Sequence, residues 1–173
     1  SYWFSSDRDE KSFPVKFEIP VMFNVTNSSA ALEACRDLGM EIKECVAALE
    51  SFKGVNGRCE VLYDGDFTII CDYAHTADAL EKILSSIKAF AQGRVICVFG
   101  AAGERDADKR PDMGLAVGKN SNLAIVTSDN PRFEDPMKII GQIEKGLDKT
   151  MVVYTVIEDR HEAIKYALTQ AKP

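Results

Sequence analysis

The chain has 173 residues, with 21 Lys and Arg against 27 Asp and Glu and a formal net charge of −6. That length suits one domain, or one domain plus a piece of another, and the acidic balance argues against a general nucleic-acid binder, whose surface must be basic. No apolar run approaches the roughly 20 residues of a membrane-spanning helix, the start Ser1-Tyr-Trp-Phe4 lacks the layout of a secretory signal, and two histidines with five scattered cysteines argue against a zinc site.

Residues 1–20 mix Ser, Asp, Glu, Lys and Pro with little periodicity and read as a loop or edge segment. From Asn24 the pattern turns helical: Ala31, Leu32, Cys35 and Leu38 share a face, and Gly39 is a stop signal. A second helix carries Val46, Leu49 and Phe52 and ends near Gly54; Gly54-Val-Asn-Gly57 reads as a hinge between two units. Then strands and helices alternate. Residues 58–63 and 67–73 are predicted strands joined through Asp64-Gly65. Thr76 is placed to cap a helix that buries Leu80, Ile83, Leu84, Ile87 and Phe90.

Residues 94–100 form a near-continuous apolar run, as expected of a strand buried on both faces. A helix near 111–120, a strand over 123–127 and a helix opened by Asp135-Pro136 follow, the last burying Ile139, Ile140, Ile143 and Leu147. Residues 151–156 are the next strand, and Asp159 with Glu162 reads as a capping box for the final helix. Strand–helix alternation predicts an α/β fold, a Rossmann-like, mostly parallel sheet flanked by helices. Cys71 and Cys97 lie inside apolar runs and are expected to be buried thiols; an odd cysteine count without a framework fits a reducing, cytoplasmic setting. The missing initial Met, and a stop just after a helix where a strand normally follows, lead us to expect a piece of a longer protein.

In an open parallel sheet, ligands bind off the carboxyl ends of the strands. Four such ends carry this sequence's polar clusters: Asp72-Tyr-Ala-His75, Gly100 to Arg110, Ser128 to Asp135, and Glu158-Asp-Arg160. In the second, small residues at 100–103 let the backbone approach a ligand, and Arg105, Lys109 and Arg110 add charge suited to a carboxylate or phosphate; a plain tight turn accounts for the same residues. In the third, Asp129-Asn-Pro-Arg132 combines an anion, an amide, a rigid turn and a guanidinium. Asp and Asn can orient ammonium groups while Arg forks a carboxylate, so the set matches a diamino dicarboxylic acid; a solvated proline turn is the plainer reading. Asp72 can accept from ribose hydroxyls, and His75 can pack on a base or simply cap a helix. No catalytic triad, no paired carboxylates and no GxxxxGK[ST] phosphate loop can be traced.

Taken together, five segments in order resemble the Mur ligase family over about Phe23 to Ala171: Phe23-Asn-Val-Thr-Asn27, Gly57-Arg-Cys-Glu60, Asp72 to Glu81, the Gly100–Pro111 loop, and Thr127-Ser-Asp-Asn-Pro-Arg132. The resemblance implies that 1–57 is the tail of a central ATPase domain. Residues 58–173 would be a carboxyl-terminal, amino-acid-binding Rossmann-like domain cut before its last strand.

It implies an ATP- and Mg²⁺-dependent ligase that adds a diamino acid, with meso-diaminopimelate expected, to UDP-N-acetylmuramoyl-dipeptide. An acceptor carboxylate is phosphorylated and the incoming amine attacks the acyl phosphate. By matched motif, Asn27, Arg58, Asp72 and His75 would face ATP, whereas Arg105, Asp129, Asn130 and Arg132 would bind the amino acid. No catalytic residue and no metal ligand is assigned within the chain, and neither nucleic acid nor membrane is an expected partner. A lysine-adding relative, a non-catalytic Rossmann-like binding module and a folylpolyglutamate-type ligase are the alternatives; Asp129-Asn-Pro-Arg132 disfavours the last. The family loop usually reads Gly-x-Gly-Gly-Asp-Arg-Asp, whereas here it is Gly100-Ala-Ala-Gly-Glu-Arg-Asp106; Ala77 stands for a usual Pro, and Pro20-Val-Met for a usual Pro-Gly.

Overall fold

A computed structural model describes residues 2–4, 12–15 and 22–172. Pro20 and most of the predicted 1–20 loop lie outside the described residues. The chain divides into two compact units, Ser1–Leu62 with Ile70–Asp72, and Tyr63–Ile69 with Tyr73–Pro173.

The first unit opens with strands β1 (Tyr2–Phe4) and β2 (Phe13–Val15), which pair antiparallel, so the described part of the expected loop is a small sheet. Helices α1 (Met22–Asp37) and α2 (Ile42–Ser51) follow. Leu32 and Cys45 from the helices meet Phe4 and Val15 from the strands in one core, edged by Cys35, Val46 and Leu49. Two large residues expected on buried helical faces are outside, besides the small Ala31 within α1: Leu38 is 82% exposed beyond the end of α1, and Phe52, after α2, is 50% exposed. Leu38 and Phe52 follow the last helical turn, where the 3.6-residue period no longer directs them inward.

Strands β3 (Glu60–Asp64) and β4 (Thr68–Cys71) form a two-stranded sheet around the expected Asp64-Gly65 turn, where Thr68 Oγ1 donates to Asp64 Oδ1 at 2.8 Å. Cys71 is exposed here, against expectation, because a two-stranded ribbon covers neither of its faces fully. Before β3, Gly54 and Gly57 have φ of +95° and +70°, and the Gly57 N–H donates to Glu60 Oε2 at 2.7 Å.

The second unit carries α3 (Ala77–Phe90), β5 (Ile96–Phe99), α4 (Lys109–Asn120), β6 (Leu123–Val126), α5 (Pro136–Leu147), β7 (Val153–Val156) and α6 (Arg160–Gln170). Strands β5, β6 and β7 form a parallel sheet in that order, with Ile96 opposite Leu123 and Leu123 opposite Val153. The central strand β6, not β5, is buried along its whole length; Ile96 and Val98 of β5 are only half-buried, packed with Leu123, Ile125 and Ala163. A strand flanked on both edges is the one that loses both faces to packing.

Helix starts follow local chemistry. Thr76 Oγ1 accepts from the Ala79 N–H, Asp135 from Met137, and Asp159 from Glu162. The capping box is half-formed: the Glu162 carboxylate accepts from Lys165 Nζ at 2.8 Å instead of reaching back. Phe90, at the last turn of α3, is 45% exposed rather than buried.

Helices α3 and α4 pack together, as do α4 and α5. The α4–α5 crossing is close enough that a Cβ on Gly114 would lie 2.1 Å from the Ile143 carbonyl oxygen, and one on Gly146 would lie 1.8 Å from that of Pro111. The parallel sheet brings the ends of β5, β6 and β7 to one edge, and the loops that carry the candidate residues leave from it.

Candidate functional site

At this edge three loops converge. Thr127 N donates to Phe99 O at 2.9 Å, Ser128 N to Glu158 O at 3.0 Å, and Thr127 Oγ1 to the same carbonyl at 3.0 Å. An open cleft is lined by Ser128, Asp129 and Asn130 on one side and Glu158, Asp159 and Arg160 on the other. Arg160 Nη1 reaches Ser128 O at 3.4 Å. The cleft therefore holds carboxylates, an amide and a guanidinium, a lining that can receive ammonium and carboxylate groups together.

The loop after β5 lies against the one after β6. Gly103 N donates to Asn130 O at 3.1 Å. A Cβ on Gly103 would lie 1.8 Å from the Pro131 carbonyl oxygen, and one on Gly100 would lie 2.2 Å from that of Thr127. The small residues expected to admit a ligand thus admit the neighbouring loop's backbone. Glu104, Asn130 and Arg132, none of them glycine, have φ of +52°, +45° and +54°. Arg132 Nη1 lies 3.8 Å from Glu104 Oε2, both side chains partly exposed, so the candidate carboxylate clamp faces an internal carboxylate. Arg105 is exposed on the same loop as Glu104, and Asp129 is half-buried in the cleft. The four amino-acid-binding candidates are thus assembled on two adjoining loops.

Arg110, read from sequence as available positive charge, is a correction: it is 1% exposed at the first turn of α4. Its Nη1 donates to Glu134 Oε2 at 2.9 Å and to Gln142 Oε1 at 2.6 Å. Its Nη2 donates to Glu134 Oε1 at 2.9 Å and to Ala102 O at 3.2 Å. Glu134 Oε1 also accepts from the Glu104 N–H. The Arg110 hydrogen bonds, then the Glu104 N–H, pull the Glu134 carboxyl down to about 2. Glu134 was missed from sequence: it stands beside Asp135 within the Ser128 to Asp135 cluster, and nothing in its spacing marks a pairing with Arg110.

The nucleotide candidates are spread over both units. Asn27 is exposed on α1. Arg58 is exposed in the turn before β3, its N–H donating to Val55 O at 3.0 Å. Asp72 Oδ2 accepts from the Cys59 N–H at 2.8 Å, so the turn holding Arg58 is tied to the end of β4. Burial first, then the Asp72 charge, raises the Cys59 thiol. In the second unit the exposed His75 ring stands edge-on to Tyr73, centroids 5.0 Å apart, and its Nδ1 pairs with Tyr73 O at 2.9 Å. Among the described residues, no group of three or more His, Cys, Asp or Glu could hold a metal ion. No described helix is long and apolar enough to cross a membrane.

Comparison with known proteins adds a family. The description "Mur ligase, glutamate ligase domain" matches residues 57–173. The UDP-N-acetylmuramoyl-L-alanyl-D-glutamate--2,6-diaminopimelate ligase of Alkaliphilus metalliredigens is 46% identical over 159 residues, 91% of this chain and 32% of that protein. A relative of the same name from Caldanaerobacter subterraneus subsp. tengcongensis is 46% identical over 164 residues, covering 94% and 34%. A solved structure of a ligase with that name superposes with a TM-score of 0.67 at 38% identity, over 93% of this chain and 33% of the other. A pseudomurein peptide ligase type C from Methanothermus fervidus gives 0.74 at 26%, over 98% and 35%. The chain spans about a third of the length of the curated relatives it matches.

Proposed function

Because the chain belongs to the Mur ligase family, through its glutamate ligase domain, we propose that it serves an ATP-dependent ligase joining meso-diaminopimelate to UDP-N-acetylmuramoyl-L-alanyl-D-glutamate in peptidoglycan synthesis, in the cytoplasm. Relatives that match most of the chain carry that activity in their names. The observation that supports the amino-acid role is the convergence of Arg105, Asp129, Asn130 and Arg132 on two adjoining loops beside a cleft of mixed charge. In this reading the Asp129 and Asn130 side chains orient an ammonium group of the incoming amino acid. Arg132 exchanges its loose contact with Glu104 for a two-pronged grip on the distal carboxylate, with Arg105 adding charge. The domain's contribution to catalysis is orientation of the attacking amine, which removes much of the entropic cost of a bimolecular encounter.

The residues present fit only part of ATP. The Tyr73–His75 pair offers exposed ring surface to a base, and Asp72 and Arg58 have the chemistry for ribose and phosphate oxygens. No GxxxxGK[ST] loop occurs in the sequence, so ATP and Mg²⁺ are assigned to the whole ligase and no step through them is drawn on this chain. The domain reading is likewise part of the proposal: 1–57 as the tail of a central ATPase domain and 58–173 as the amino-acid-binding domain.

The test is steady-state kinetics on the full-length protein. Nucleotide dipeptide and meso-diaminopimelate together should elicit phosphate release and tripeptide product. Arg132→Ala should raise the KM for diaminopimelate by the equivalent of about 2–5 kcal/mol, the cost of truncating one partner of a desolvated charge pair. Product with lysine but none with diaminopimelate would replace the substrate assignment.

A further inference from the structure

Outside the residues already assigned, the Glu134 carboxylate accepts three hydrogen bonds. It joins three segments: buried Arg110 at the start of α4, the Glu104 N–H in the loop after β5, and its own loop after β6. Arg110 is itself anchored from the far side by Gln142 of α5 and by Ala102 O. Its Nε, buried, has no partner among the described residues, so the guanidinium bonds only through its two terminal nitrogens.

The loops so joined are not held by local preference. Glu104 and Arg132 sit in the left-handed region that non-glycine residues other than Asn and Asp avoid, and such conformations persist only where the surroundings over-determine them. The pair is partly buried, with Arg110 1% and Glu134 28% exposed; such a pair adds little net stability compared with an apolar filling, and here its hydrogen bonds tie three segments of the chain to one carboxylate. The bond from Gly103 N to Asn130 O sets the same two backbones in register.

We propose that Glu134 is a positioning residue for amino-acid binding: gripped by Arg110, it fixes the loop bearing Glu104 and Arg105 against the loop bearing Asp129, Asn130 and Arg132. This rests on the amino-acid reading of those four residues. It deepens that reading by assigning the site's geometry to a carboxylate that does not touch the substrate.

The experiment uses the full-length enzyme and compares Glu134→Gln, the milder Gln142→Ala, and Arg132→Ala. Glu134→Gln should raise the KM for diaminopimelate roughly tenfold or more, as small misplacements of binding groups do. The KM for ATP and for the nucleotide dipeptide should stay within about twofold. Gln142→Ala, which loosens Arg110 without touching either loop, should give a smaller rise with the same selectivity, and it supplies the readout if Glu134→Gln does not fold. If Arg132→Ala raises the diaminopimelate KM while neither of the other two does so selectively, Glu134 is structural and the proposal falls while the site reading stands. If all three KM values move together, the role is general stability and the proposal also falls. An Arg132→Ala enzyme with an unchanged KM removes the site reading itself.

Discussion

Arginine shows how one residue type serves opposite purposes within a single loop region. Arg105 stays exposed, Arg132 leans on Glu104 at 3.8 Å, and Arg110 is sealed beneath both loops by Glu134, Gln142 and Ala102. Spacing along the chain does not separate them; only the direction each side chain takes from its backbone does. The thiols divide in the same way. Burial pushes Cys97 up to about 12, so at neutral pH it is a protonated, inert thiol, whereas Cys71 is exposed. Brief treatment of the native chain with iodoacetamide near pH 8, followed by peptide mapping, should find Cys71 modified and Cys97 protected until denaturant is added. Equal labelling of the two would contradict the burial of Cys97.

The elements were legible where local chemistry decides them. The caps at Thr76, Asp135 and Asp159 and the turn at Asp64-Gly65 form where the residue types indicate. Tertiary contacts decide the rest, and the glycines of α4 and α5 are the clearest case. Glycine in a helix normally costs stability, yet Gly114 and Gly146 let the two backbones touch. Gly141, on the same helix as Gly146, has nothing nearer than 4.0 Å to a built Cβ. Gly146→Ala should therefore destabilise the protein by roughly 1–3 kcal/mol, because overpacking against a carbonyl outweighs the gain in helix propensity. Gly141→Ala should stabilise it by about 0.5–1 kcal/mol through that propensity alone. Urea midpoints of the two variants decide the matter, and equal shifts would mean that the crossing is looser than described.

At the scale of the molecule, the candidate site is an edge effect: parallel strands order their carboxyl ends side by side, and three loops meet there. The polar clusters at the ends of β5, β6 and β7 were legible as a group for this reason, since alternation of strand and helix already implies a shared edge. The chain by itself has no phosphate loop, so it should hydrolyse no ATP above background even with nucleotide dipeptide and diaminopimelate present. A phosphate-release assay showing turnover by the chain alone would overturn the division of labour proposed for the whole ligase.

The α/β class, most element positions and the residue types gathered at the candidate edge can be read from the order of side chains alone. Periodicity, capping and turn chemistry act over a few residues and are written directly in the order of side chains. Long-range packing, by contrast, makes β6 the fully buried strand, has Gly100 and Gly103 make room for a neighbouring loop, and binds Arg110 to Glu134 rather than offering it to a ligand. Those outcomes depend on which distant backbones come within a few ångströms of one another, and the pairing of Arg110 with Glu134 across 24 positions leaves no periodic trace in the chain.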